Sequence, residues 1–77
     1  MVKKGTAKGQ ITNNIRRLRF DHDEMTQKEL AEKTGVSRQT IVAIEKAKYS
    51  PSLELAFQIA HVFGRSLGDV FSYEITE

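Results

Sequence analysis

Apolar residues in this chain recur at helical spacing in five stretches and alternate in one. Ile15 and Leu18 form an i, i+3 pair, which predicts a first helix over about 14–22 with Asn13 and Asn14 as cap candidates. Leu30 and Ala31 mark a second helix, over about 26–34. Ile41 and Ile44 share one face of a third, over 38–46. The fourth, residues 53–63, is apolar over most of its girth: Leu53, Ala56, Phe57, Ala60 and Phe63 form the stripe, and Leu55, Ile59 and Val62 widen it. Such a helix belongs at the centre of a core, and packing is the better reading of Phe57 and Phe63 than a ligand box. Leu67, Val70 and Phe71 form the apolar face of a short fifth helix behind the cap Ser66, with Asp69 at its third position. Phe71, Tyr73 and Ile75 then alternate with Ser72, Glu74 and Thr76, the pattern of a half-buried strand. A lone strand needs a partner, and the candidate is Gln10-Ile11-Thr12.

The junctions are as informative as the helices. Thr26 and Glu29 have the spacing of a capping box. Gly35 sits where a tight turn needs positive φ, and Ser37 is placed to cap the helix that opens at Arg38. Two short helices therefore meet at a tight turn. The face of the second away from Ile41 and Ile44 carries Arg38, Gln39, Val42 and Ala43 beside Ser37. Pro51 and the cap Ser52 open the fourth helix after the polar stretch Lys46-Ala47-Lys48-Tyr49-Ser50, and Gly64 ends it.

Thr-Gln-x-x-Leu-Ala at 26–31, Gly-Val-Ser at 35–37 and Ile-x-x-Ile-Glu at 41–45 together resemble the helix-turn-helix domains of the Cro/phage-repressor (XRE-type) family. The continuation Lys-Tyr-Ser-Pro-Ser-Leu-Glu-Leu-Ala at 48–56 is similar to short bacterial regulators that include the cytolysin repressor. The resemblance covers roughly residues 11–75. It implies an all-α, five-helix, lambda-repressor-like domain with a small two-stranded sheet between its ends. It also implies an arginine of the first helix paired with the glutamate that closes the third, here Arg19 with Glu45. This chain carries one more residue between Arg19 and Thr26 than many relatives, which threatens that phase.

The implied function is sequence-specific binding of double-stranded DNA by a transcriptional regulator, with helix 38–46 in the major groove. Arg38 suits guanine O6 and N7, and Gln39 suits adenine N6 and N7. Val42 and Ala43 suit a thymine methyl, and Ser37 reaches bases or phosphates. By resemblance Arg38, Gln39 and Ala43 hold the main base-facing positions. Thr26 and Gln27 at a helix start, with Thr40, Lys46, Lys48, Tyr49 and Ser50, are expected on phosphates. One short helix reads too few base pairs for a genome, so two copies about one helical turn apart are expected. Leu67, Val70, Phe71 and Ile75 either form that two-fold interface or close the monomer core.

Composition fits this picture. The net charge is only +2, yet residues 1–20 hold six cationic side chains and no acidic one. Residues 21–37 set Lys28 and Lys33 against Asp21, Asp23, Glu24, Glu29 and Glu32, and the stretch 38–51 is basic again through Arg38, Lys46 and Lys48. Such segregation suits a polyanion on one face. Residues 1–9 read as a flexible basic tail, either an arm along DNA or inert, ahead of one domain over 10–77 that ends in a dimerisation element. There is no cysteine, and His22 and His61 have no ligand partners at metal spacing. No cofactor, metal or small-molecule ligand is expected, and no constellation points to an enzyme. With no apolar run after the basic start and none near ~20 residues, the expectation is a cytoplasmic protein without a membrane segment. Two other readings are an antitoxin-like DNA-binding protein, for which residues 1–9 are the spare segment, and a non-catalytic interaction adaptor, against which Arg38 and Gln39 argue.

Overall fold

The computed structural model describes residues 9–75. Its elements run β1 (Gly9–Asn13), α1 (Ile15–Asp21), α2 (Gln27–Thr34), α3 (Arg38–Glu45), α4 (Leu53–Val62), α5 (Leu67–Val70) and β2 (Phe71–Ile75). The fold is the expected one: five helices and a two-stranded antiparallel sheet joining the two ends, with Gly9 paired to Ile75 and Asn13 to Phe71. Strand β1 takes in Gly9 and Asn13, two residues more than the expected Gln10-Ile11-Thr12. Residues 1–8 of the expected tail lie outside the described residues.

Local chemistry sets the helix boundaries. Thr26 accepts a hydrogen bond from the Glu29 amide at 3.0 Å, and the Glu29 carboxylate accepts one from the Thr26 amide at 2.8 Å. The Ser66–Asp69 pair repeats this reciprocal cap on α5, and Ser37 and Ser52 cap α3 and α4. Gly35 ends α2 at φ 74°, a conformation that costs a glycine little. The start of α1 is different. Asn14 occupies the cap position but makes no side-chain cap bond, and the side-chain Oδ1 of Asn13 accepts from the Ile15 amide at 3.1 Å instead.

The core gathers Ile15 and Leu18 from α1, Leu30 and Ala31 from α2, Ile41 and Ile44 from α3, and Leu55, Ile59, Ala60 and Phe63 from α4 and its end. Met25 and Val36 pack at its edge. Helix α4 departs from the expected face. Leu53 and Phe57 are 66% and 53% exposed, while Leu55 and Ile59 are buried. Glu54, Gln58 and His61 share one exposed face at i, i+4 and i+7, and Leu53 and Phe57 flank it, so the buried face is the one across the helix from that polar stripe. Val70 is also corrected: it has no exposed surface and belongs to the core, not to a dimer interface. Its carbonyl accepts from the Asn14 amide at 2.9 Å, so α5 is fixed to the start of α1.

The sheet departs as well. Ile11, Tyr73 and Ile75 share one face through the strand register. Phe71, on the same face, is half-buried, but Tyr73 and Ile75 are 60% and 55% exposed, so most of the alternating apolar set is uncovered. The Tyr73 ring leans over its diagonal neighbour Gly9 and leaves no room for a side chain there, where a Cβ would come within 2.3 Å of it.

Replacing Ile59 by alanine should lower the unfolding free energy by roughly 2–5 kcal/mol in urea titration, because the site is fully enclosed. A loss below about 1 kcal/mol would mean that α4 does not seat this face in the core.

Candidate nucleic-acid interface

Helix α3 shows two unlike faces. Ile41 and Ile44 are buried against the other helices, whereas Ser37, Arg38 and Gln39 are exposed and Thr40, Val42 and Ala43 are partly so. Arg38, Val42 and Lys46 follow at i, i+4 and i+8 in one column, and Gln39 and Ala43 form the next. The start of the helix is therefore its most polar and most accessible part. The Ser37 and Thr40 hydroxyls lie 3.0 Å apart, so the two expected polar contacts are tied to each other as well as to the cap.

The end of α3 is held by a polar cluster. The Arg19 guanidinium meets the Glu45 carboxylate in a fork, with Nε donating to Oε2 at 2.7 Å and Nη2 donating to Oε1 at 3.1 Å. Its remaining arm, Nη1, donates to the Met25 carbonyl at 2.8 Å. Gln27 donates from Nε2 to Glu45 Oε1 at 3.3 Å. Asn13 donates from Nδ2 to the Ile44 carbonyl at 2.9 Å. The ion-paired side chains are only 15% and 9% exposed. The expected Arg19–Glu45 pair is thus present, and the extra residue ahead of Thr26 does not disturb it. Asp23 and Glu24 both adopt left-handed backbone, at φ 55° and 54°, and the turn they make returns the Met25 amide to the Arg19 carbonyl at 2.9 Å.

The other expected contact residues flank this helix. Thr26 and Gln27 stand at the start of α2; Gln27 is partly engaged by Glu45, and Thr26 is exposed. The Glu29 carboxyl is held below its usual value of 4.5, first by its bond from the Thr26 amide. Lys46, Lys48, Tyr49 and Ser50 are all exposed on the turn after α3. That turn is tight: Ala47 lies at φ 59°, and the Lys48 amide reaches the Ala43 carbonyl at 2.9 Å.

Sequence reasoning did not assign a role to Arg16, Arg17, Phe20 or Lys28. All four line one open groove with Arg38, Val42 and Lys46. The signal was present, since Arg16 and Arg17 flank the Ile15–Leu18 stripe, but their direction depends on how α1 crosses the motif. His22 is a partly buried histidine: Nδ1 lies 3.2 Å from the Leu18 carbonyl, and the ring meets Phe63 edge-on at 5.3 Å. Among the described residues no group of three His, Cys, Asp or Glu side chains is placed to hold a metal, and no helix is long and apolar enough to cross a membrane.

Substituting Arg19 by alanine strands Glu45 in a largely enclosed position and should cost about 3 kcal/mol of stability. The double substitution Arg19→Met, Glu45→Leu should recover most of that loss in thermal or urea unfolding. Equal losses in the single and double variants would show that the charge of Glu45 needs no partner there.

Comparison with known proteins agrees with this geometry. The helix-turn-helix family model matches residues 15–70. An uncharacterized HTH-type transcriptional regulator of Methanocaldococcus jannaschii is 55% identical over 67 residues, which span 87% of this chain and 100% of the relative. The HTH-type transcriptional regulator YgzD of Bacillus subtilis is 47% identical over 58 residues, spanning 75% of this chain and 83% of the relative. The cryptic phage CTXphi transcriptional repressor RstR of Vibrio cholerae is 34% identical over 62 residues, 80% of this chain and 55% of that repressor. The match spans all the helices from α1 to α5, with α3 exposing its polar face, and the chain belongs to the Cro/C1-type helix-turn-helix family of transcriptional regulators that bind double-stranded DNA.

Proposed function

We propose that the protein is a dimeric, sequence-specific repressor that places α3 in the major groove of a two-fold symmetric operator. The observation that carries this reading is the division of α3 into a locked inner face and an exposed outer one. Ile41, Ile44 and the Arg19–Glu45 fork fix the helix, and Arg38 and Gln39 stand free at its N-terminal end. Arg38 reads guanine and Gln39 reads adenine, while Val42 and Ala43 meet thymine methyl groups. Ser37 adds a base contact. Thr26, Gln27 and Thr40 on one side, and Lys46, Lys48, Tyr49 and Ser50 on the other, hold phosphates and fix the register. Repression follows from occupancy: a bound dimer excludes other proteins from the operator. One relative is named a transcriptional repressor, which favours this reading over activation.

Leu67, Phe71 and Ile75 remain candidates for the two-fold interface, without Val70. Leu67 is half-buried beside the exposed ring of Phe57, and Ile75 shares its sheet face with exposed Tyr73. These groups leave apolar surface in water that a second copy would cover.

Selection from a genomic fragment pool at several salt concentrations tests the reading. Wild type should enrich a two-fold symmetric site, and Arg38→Ala should lose selectivity at one position per half-site, worth about 1–3 kcal/mol. Weak, steeply salt-dependent binding that the substitution leaves unchanged would reduce the interaction to phosphate attraction. In sedimentation at micromolar concentration, wild type should run as a dimer and Leu67→Asp as a monomer. A monomeric wild type, with and without DNA, would remove the dimer from the proposal.

A further inference from the structure

We propose that the outer face of α1 is a second backbone clamp on DNA, in which Arg16 and Arg17 take phosphates and Phe20 packs against a deoxyribose of the same strand. The proposal rests on the reading of α3 as the groove-binding helix and extends it to an element outside the helix-turn-helix. Arg16 and Arg17 precede Phe20 by four and three residues, so the two cations bracket the ring on one helix face. Both arginines are exposed, and Phe20 is 68% exposed. Single exposed apolar residues are ordinary. This one is not isolated, because it lines the same groove as Arg38 and Val42 of α3.

The charge of that groove is one-sided. Arg19 and Glu45 neutralise each other within it. Among the described residues Arg16, Arg17, Lys28, Arg38 and Lys46 make no ion pair, and Glu24 is the carboxylate left to oppose them. An open volume of about 1120 Å³ is ample for a stretch of phosphodiester backbone. That backbone offers what this surface lacks: closely spaced negative charges for the guanidinium groups and an apolar sugar face for the ring. The contacts carry no base information. They add affinity to operator and scrambled DNA alike.

The test measures binding of the full chain to its selected operator and to a scrambled duplex across a salt series. Arg17→Ala should reduce the slope of log K against log salt by about 0.9 per bound chain, and Arg16→Ala with Arg17→Ala by about 1.8. Operator preference over scrambled DNA should stay unchanged in both. Arg16→Lys with Arg17→Lys should keep the wild-type slope, since lysine also neutralises a phosphate. Phe20→Ala should weaken both duplexes by the same factor without changing the slope. Lys33→Ala, in a separate groove beside α4, is the control for general surface charge and should leave the slope as it is. An unchanged slope in the double alanine variant, with far-ultraviolet circular dichroism still native, would overturn the clamp. So would an equal fall in slope for Lys33→Ala and Arg17→Ala. Failure of wild type to prefer any operator would instead overturn the groove-binding reading of α3, and the two failures are read from different columns of the same data.

Discussion

Burial of Ile41 and Ile44 is the contact on which the rest of this molecule depends. An eight-residue helix has too few internal hydrogen bonds to persist alone in water. Helix α3 exists because its inner face is sealed against α1, α2 and α4, with Leu30 and Ile59 equally enclosed. That seal leaves Arg38 and Gln39 exposed and Val42 and Ala43 partly so, outside the packing that fixes the helix. The polar cluster at the other end serves precision more than stability. Arg19 joins α1, the Met25 carbonyl and Glu45 of α3 through three well-directed bonds. A desolvated ion pair contributes little net stabilisation, but it has one good geometry, and that geometry fixes the tilt of α3 against α1.

How much of this was legible in the sequence depended on the range of the interaction. Thr26 with Glu29, Ser66 with Asp69, and Gly35 before Ser37 act within one turn of chain, and each was found where its spacing put it. The two faces of α3 were also plain, since only one contains isoleucine. Helix α4 was harder. Seven of its ten residues are apolar, and a stripe counted from Leu53 passes through Phe57, yet Glu54, Gln58 and His61 at i, i+4 and i+7 mark the outside. Leu53 and Phe57 flank that polar stripe and are exposed, whereas Ala56 and Ile59 lie across the helix from it and are buried, so the polar positions carried the signal that the apolar spacing hid. Val70 was misplaced for a different reason: Leu67, Val70, Phe71 and Ile75 do not say which of them close the monomer.

The site divides in the same way. The accessible outer face of α3 was legible because it occupies a motif with fixed internal spacing. The Arg19–Glu45 pair came from family resemblance, and its extra anchors at Met25, Gln27 and Asn13 came from neither resemblance nor pattern. Such anchors join residues up to 31 positions apart and have no periodic signature. The loop between Arg19 and Thr26 is closed locally. Asp23 and Glu24, both left-handed, turn the chain at the surface, and the Met25 amide donates back to the Arg19 carbonyl.

The pairing of β1 with β2 has a consequence for the order of assembly. Gly9 and Ile75 are joined across nearly the whole described chain, whereas the capped turns around α2 and α3 close over a few residues. Loop closure over a long span is entropically unfavourable until the intervening helices have compacted it. The helical body therefore condenses first and the ribbon zips last. In reverse, the ribbon is the first part to open. Its uncovered Ile11, Tyr73 and Ile75 bring little burial of their own, so opening the ribbon costs less than opening the helical body. Such opening leaves Ile41 and Ile44 packed, and with them the seat of α3.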